Sequence, residues 1–127
     1  MLEEGCANRW IDVYENQGKR SGAYSAGPYG THPYVLLNYT DTLNDVFTLV
    51  HEMGHALHSY LSNKHQSVTY ANYVIFVAEV ASTCNESLLM QPLLNKTQDK
   101  RRRAYLVNYL LEQFRGTLYR HHLFDTF

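Results

Sequence analysis

Two histidines four residues apart, with a glutamate directly after the first, constrain this chain more than any other stretch: His51-Glu52-Met53-Gly54-His55. On a helix of 3.6 residues per turn the two rings lie about 40° apart and one turn up, so both can aim a ring nitrogen at one ion. Glu52 falls on the flank of that face. It is badly placed to be a third ligand but able to reach a water at the metal, where a general base belongs. The competing explanation is a coincidental pair of core histidines, so the flanks must decide. Thr42 followed by Asp45 resembles a capping box, and Leu43, Val46, Phe47, Val50, Ala56 and Leu57 recur at helical spacing. A helix from Thr42 to Tyr60 is predicted, with the histidine pair on it.

Two histidines leave a zinc ion short of a third protein ligand. A continuation HExxHxxGxxH would supply one, but His58 and Leu61 stand where that pattern needs Gly and His, which excludes the metzincin class. The remaining option is a glutamate from a second helix. Residues 71–90 read as a buried helix closed by Pro92, and Tyr73 to Ala81 is apolar except for Glu79. A lone carboxylate in such surroundings is costly to ionise unless a cation compensates it. Glu79 is the predicted ligand. Glu86, one heptad on and sharing its face, is the competitor, or else a hydrogen-bond partner behind a ligand. His58 lies about 10 Å along the helix axis from His51, too far for easy tetrahedral sharing. An outer contact, a substrate contact or a structural histidine are its open roles.

The rest of the chain supplies surroundings. At 127 residues one domain is the ceiling, and the chain reads as a single partial catalytic domain over 1–127. A net charge of −1 and a pI near 6.6 give no reason to expect nucleic acid or a membrane surface. The start, Met1-Leu2-Glu3-Glu4, is acidic, and no apolar run approaches membrane-spanning length, so a soluble, cytoplasmic protein is expected. Cys6 and Cys84 lack metal or disulfide spacing and read as buried thiols. Residues 2–16 are predicted helical, and the glycine-rich stretch 18–30 codes turns and close backbone approach. Residues 32–39, with Tyr34, read as a strand, either an edge open to β-addition by a peptide or a strand paired on both sides. Residues 62–67 read as a loop. Residues 97–126 read as a long helix with Ala104, Val107, Leu110 or Leu111, Phe114, Leu118 and Leu123 on its apolar stripe, and Lys100 to Arg103 on a solvated face.

Three stretches carry a resemblance: WIDVYENQGKRSGAYSAGPYGTHPYVLLNYTDTLNDVFTLVHEMGHALHSY, YVIFVAEVASTCNESLL and FRGTLYRHHLFDTF. They resemble the oligoendopeptidase F branch of the thimet-oligopeptidase-like zinc peptidases. The resemblance implies one Zn²⁺ per chain on His51, His55 and Glu79, Glu52 as the catalytic carboxylate, and oligopeptide substrates. It also implies a mainly α fold with a small β-sheet, an α+β arrangement around a zincin-like HExxH helix. Members are several times longer, so the remaining parts of a full-length peptidase are missing from this chain, including a downstream His and Tyr thought to stabilise the oxyanion. Glu86, His58 and Tyr34 are candidates for outer or substrate contacts. The alternatives are a zinc-binding fragment without turnover and a helical interaction module using Lys100 to Arg103. An N/O donor set of this kind also admits Mn²⁺ or Co²⁺.

Overall fold

The computed structural model describes residues 2–116. Its elements run α1 (Leu2–Ala7), β1 (Ile11–Asp12), β2 (Tyr24–Ala26), β3 (Tyr34–Leu36), α2 (Leu43–His65), α3 (Ile75–Lys96) and α4 (Lys100–Phe114). The architecture is mainly α with a small sheet, as expected. The chain divides into two compact units, with the boundary between Ser87 and Leu88. No described helix is long and apolar enough to cross a membrane.

The first unit holds the sheet and α2. Strand order is β1-β3-β2, with β1 parallel and β2 antiparallel to β3. Of the two alternatives for residues 32–39, the structure takes the paired one. β3 is central, and the outer edges belong to β1 and β2. One face of the sheet packs on α2 through Val35, Leu37, Met53 and Ala56, with Ile11, Ala23 and Leu49 against them. Alternate residues of β3 and residues three or four apart on α2 therefore meet, the two periodicities that a sheet-on-helix core requires.

The predicted helix over 2–16 ends early, at Ala7. Arg9 takes a left-handed φ of 57°, and Trp10 donates its backbone N–H to Gly5 O, a Schellman-type stop. Trp10 is then buried, and the segment after it pairs with β3 through Val35 N to Trp10 O and Leu37 N to Asp12 O. Ile11, which fits a helical stripe, is a strand residue.

α2 begins as predicted. Thr42 caps Asp45 N, and the Asp45 carboxylate returns to the Thr42 N–H and also takes Thr40 N and Oγ1. The helix continues past Tyr60 to His65, through Ser62 to His65 of the expected loop. The polar side chains there find partners off their own helix: Ser62 Oγ donates to Ala71 O, and Asn63 Nδ2 to Gly27 O and Pro28 O. They have no cause to compete for the helix backbone. The close approach expected of the glycine-rich stretch occurs at Gly27, where a Cβ would stand 2.3 Å from Ser59 Cβ.

α3 departs from expectation in three respects, the first being that it starts at Ile75, four residues later than the expected 71. It runs through Pro92 instead of stopping before it, and most of its first turns are open rather than buried. Ile75 and Phe76 are 75% and 76% exposed, and only Ala78 and Ser82 are buried in the first unit's part of the helix. A narrow small-residue face meets α2, and the apolar remainder has no cover among the described residues. Cys6 and Cys84 are likewise exposed, against the expected buried thiols.

In the second unit, Asp99 caps α4 by accepting from Arg102 N, and Lys100 to Arg103 are exposed. The predicted stripe is out of register with the burial. Ala104, Val107, Leu111 and Phe114 are exposed, whereas Leu106 is buried and Tyr109, Leu110 and Gln113 half-buried. Leu118 and Leu123, and most of the stretch from Phe114 to Phe127, lie outside the described residues.

Candidate metal centre

α2 and α3 cross with almost no space between them. A Cβ on Gly54 would stand 2.6 Å from Ser82 Cα and 3.0 Å from Ala81 O, so only hydrogen fits there. One turn away, Asn85 Nδ2 donates to Val50 O at 2.7 Å and ties the same two helices. This crossing brings three predicted residues to one point. His51 Nε2 and His55 Nε2 are 3.2 Å apart; Glu79 Oε2 lies 3.4 Å from the first and Glu79 Oε1 3.8 Å from the second. The three residues offer ligand atoms within 4.8 Å of one another.

Those spacings test the donor set. Zinc–ligand bonds of about 2.0–2.2 Å at tetrahedral angles put neighbouring donors roughly 3.3 Å apart. The His51–His55 and His51–Glu79 Oε2 edges match, and a rotation of the Glu79 carboxylate, 47% exposed, would bring a single oxygen to both rings. Two imidazoles and a carboxylate are the chemistry zinc accepts, so the residues fit the ion.

The environment sorts the groups. Glu86 Oε1 accepts from His51 Nδ1 at 2.5 Å, which in the neutral ring leaves Nε2 as the lone-pair nitrogen facing the cluster. That hydrogen bond raises the His51 pKa above its ordinary value, against the opposing effect of burial. His55 moves the other way, lowered first by burial and then by the charge of His51; the Ala78 backbone hydrogen-bonds its ring. Glu52 is 8% exposed. Burial raises the pKa of its carboxyl, with His51 opposing, and the Ser25 backbone N–H of β2 donates to it. Glu52 is not among the three convergent ligand residues.

Two candidates lie apart. His58 stacks on Tyr73, ring centroids 3.9 Å apart, and its buried Nδ1 has no hydrogen-bond partner among the described residues. Tyr34, on β3, is exposed and packs its ring on His32, which in turn stacks on Trp10. Sequence reasoning missed Gly54, Ser82, Asn85 and Ser25. A glycine inside an otherwise periodic helix does signal close approach, so Gly54 was within reach. The other three carry no local signal, because their partners lie on different elements or follow from the helix crossing.

Comparison with known proteins agrees on the family. The chain is 58% identical over 127 residues to oligopeptidase PepF of Bacillus subtilis (strain 168), covering 100% of this chain and 19% of that protein. It is 52% identical over 119 residues to an oligoendopeptidase F homolog of Lactococcus lactis subsp. lactis (strain IL1403), covering 94% and 20%. A crystal structure of a candidate peptidase from Chlamydophila abortus superposes with a TM-score of 0.89 at 49% identity, over 98% of this chain and 21% of that one. The chain thus spans about a fifth of the length of these relatives. The model of Peptidase family M3 matches residues 1–127, and the chain belongs to that family.

Proposed function

We propose that the chain is the zinc-binding core of a metalloendopeptidase that hydrolyses oligopeptides, with His51, His55 and Glu79 as the ligands and Glu52 as the general base. The observation that carries this is the meeting of two α2 imidazoles and one α3 carboxylate at donor spacings of 3.2 to 3.8 Å. Zinc held there supplies Lewis acidity, bringing the pKa of water toward ~7 and polarising a carbonyl. The protein does the rest. Glu52, its basicity raised by burial and its carboxylate steadied by the Ser25 N–H, takes the proton of the attacking water and returns it to the leaving amine. Glu86 keeps His51 in the tautomer that can ligate. β2 is an outer strand among the described residues, and its Ser25 N–H donates to Glu52, so an extended peptide running alongside this strand would pass the carboxylate.

The share of the relatives covered, about a fifth, supports a narrower alternative in which this chain holds zinc without turning over peptide alone. The exposed apolar face of α3 is then covered by the rest of a full-length peptidase. A cytoplasmic location, where free thiols such as Cys6 and Cys84 stay reduced, goes with either form. The test is metal analysis joined to cleavage of an internally quenched oligopeptide by the full-length protein. We expect one zinc per chain and activity lost to a chelator and restored by zinc. Glu52→Gln should keep zinc and lose cleavage. Normal cleavage by Glu52→Gln removes Glu52 as the base, and a chain without stoichiometric zinc removes the site.

A further inference from the structure

Among the described residues, Ser82 is the one wholly buried polar side chain beside the cluster, at 0% exposure, directly beneath Gly54. A helix crossing this tight needs a small residue there, and alanine would meet that need as well. The hydroxyl therefore calls for a separate account, because a buried O–H without a partner is costly. Its acceptors both belong to Glu79: the backbone oxygen at 3.0 Å and the carboxylate Oε2 at 3.1 Å. The single hydroxyl proton must divide between them. The backbone oxygen is already served by the N–H ladder of α3 and by Thr83 Oγ1 at 2.6 Å. The carboxylate oxygen is the acceptor still short of a donor, and it is the same oxygen that lies 3.4 Å from His51 Nε2.

We propose that Ser82 is a positioning residue: its hydroxyl holds Glu79 Oε2 so that the carboxylate faces His51 and His55 before any metal arrives. This rests on the metal-site reading above. Glu79 is the half-exposed member of the cluster, with 47% of its side chain open. A glutamate so placed samples several staggered rotamers unless something restrains it. The two histidines are each restrained from behind, His51 by Glu86 and His55 by the Ala78 backbone. Ser82 does the same for the third donor, through the side-chain oxygen instead of a ring nitrogen. Gly54 enters as the condition for it, since any Cβ there would push the Ser82 backbone away.

The test is Zn²⁺ affinity of the full chain by competition with a chromophoric chelator, for wild type, Ser82→Ala, Glu79→Ala and the double variant. Loss of a hydrogen bond to a ligand typically costs 10- to 100-fold in affinity, and we expect at least about 10-fold for Ser82→Ala. In the Glu79→Ala background the same change should have no effect, which a purely structural serine would not predict. The visible spectrum of the Co²⁺-loaded chain should also change with Ser82→Ala, because the carboxylate orientation changes. Should Ser82→Ala fail to fold, Ser82→Gly, which removes the same hydroxyl without adding volume, is expected to show the same loss and the same dependence on Glu79. Wild-type affinity and spectrum in a folded Ser82 variant, or an equal loss in both backgrounds, overturns the proposal alone. A wild-type chain that takes up no zinc overturns the metal site and the proposal with it.

Discussion

Gly54→Ala isolates the helix crossing from the chemistry. The added methyl would lie 2.6 Å from Ser82 Cα, 3.0 Å from Ala81 O and 3.1 Å from Ser82 N. All three are backbone atoms, so no side chain can move aside. Carbon–carbon contact is comfortable at about 3.5–4.0 Å, so α2 and α3 must part by roughly 1 Å. The energetic cost to the fold is small. Overpacking of this kind costs about 1–3 kcal/mol, and Gly to Ala in a helix interior returns about 1 kcal/mol, for a net loss of roughly 0–2 kcal/mol. The metal site is far less forgiving. Ligand distances tolerate about ±0.2 Å, and His51 and His55 ride on one of the parting helices while Glu79 rides on the other. We expect zinc affinity to fall by at least ~100-fold, the upper end for changes behind a ligand, which is about 2.7 kcal/mol. Chelator competition measures the first quantity, and urea denaturation of the metal-free chain the second. A Gly54→Ala chain that binds zinc within threefold of wild type would show that this contact does not set the ligand spacing.

Other perturbations follow from the same geometry. Glu86→Ala removes the acceptor at His51 Nδ1 and frees the ring to rotate; zinc affinity should drop about 10- to 100-fold, and unchanged affinity would remove Glu86 from the site. Asp45 is held at a pKa of about 2, down from 3.8, by hydrogen bonds from Thr42 and Thr40. A carboxyl lowered by folding contributes stability that is present above 3.8 and lost as pH falls toward 2. The stability gap between wild type and Asp45→Asn, read from urea midpoints, should therefore be constant near neutrality, shrink below about pH 4 and be mostly lost by about pH 2. A gap as large at about pH 2 as at neutrality would mean the cap acts by something other than the charge.

What the sequence made legible was whatever is carried by residues near in the chain. The capping box at Thr42 and Asp45, the helical periodicity of α2 and the i, i+4 histidine pair are local, and they stand in the structure where the pattern put them. The glycine-rich stretch was legible in kind, with Gly27 pressed on Ser59. Glu79 was reachable by a different route, as a lone acid in an apolar run, although the supporting premise of burial does not hold for its helix. Ile75, Phe76 and Val80 are open, so the apolar composition of 73–81 reports a surface with no cover among the described residues rather than a core.

That failure has a physical cause, which the misread N-terminal segment shares. Hydrophobicity records how much contact a residue needs, not which neighbour supplies it. Trp10, Ile11 and Val13 need burial and obtain it beside β3, because Arg9 in a left-handed turn halts α1 and converts a helical stripe into a strand. α3 buries only Ala78 and Ser82 on the part of its face that meets α2, because Gly54 lets two backbones approach where larger side chains could not enter. The narrowness of that contact is also its use. A backbone-to-backbone touch at one glycine, tied by Asn85 to Val50 O, leaves the two helices little freedom to shift along each other. The proposed ligand set, two donors on α2 and one on α3, depends on that single offset.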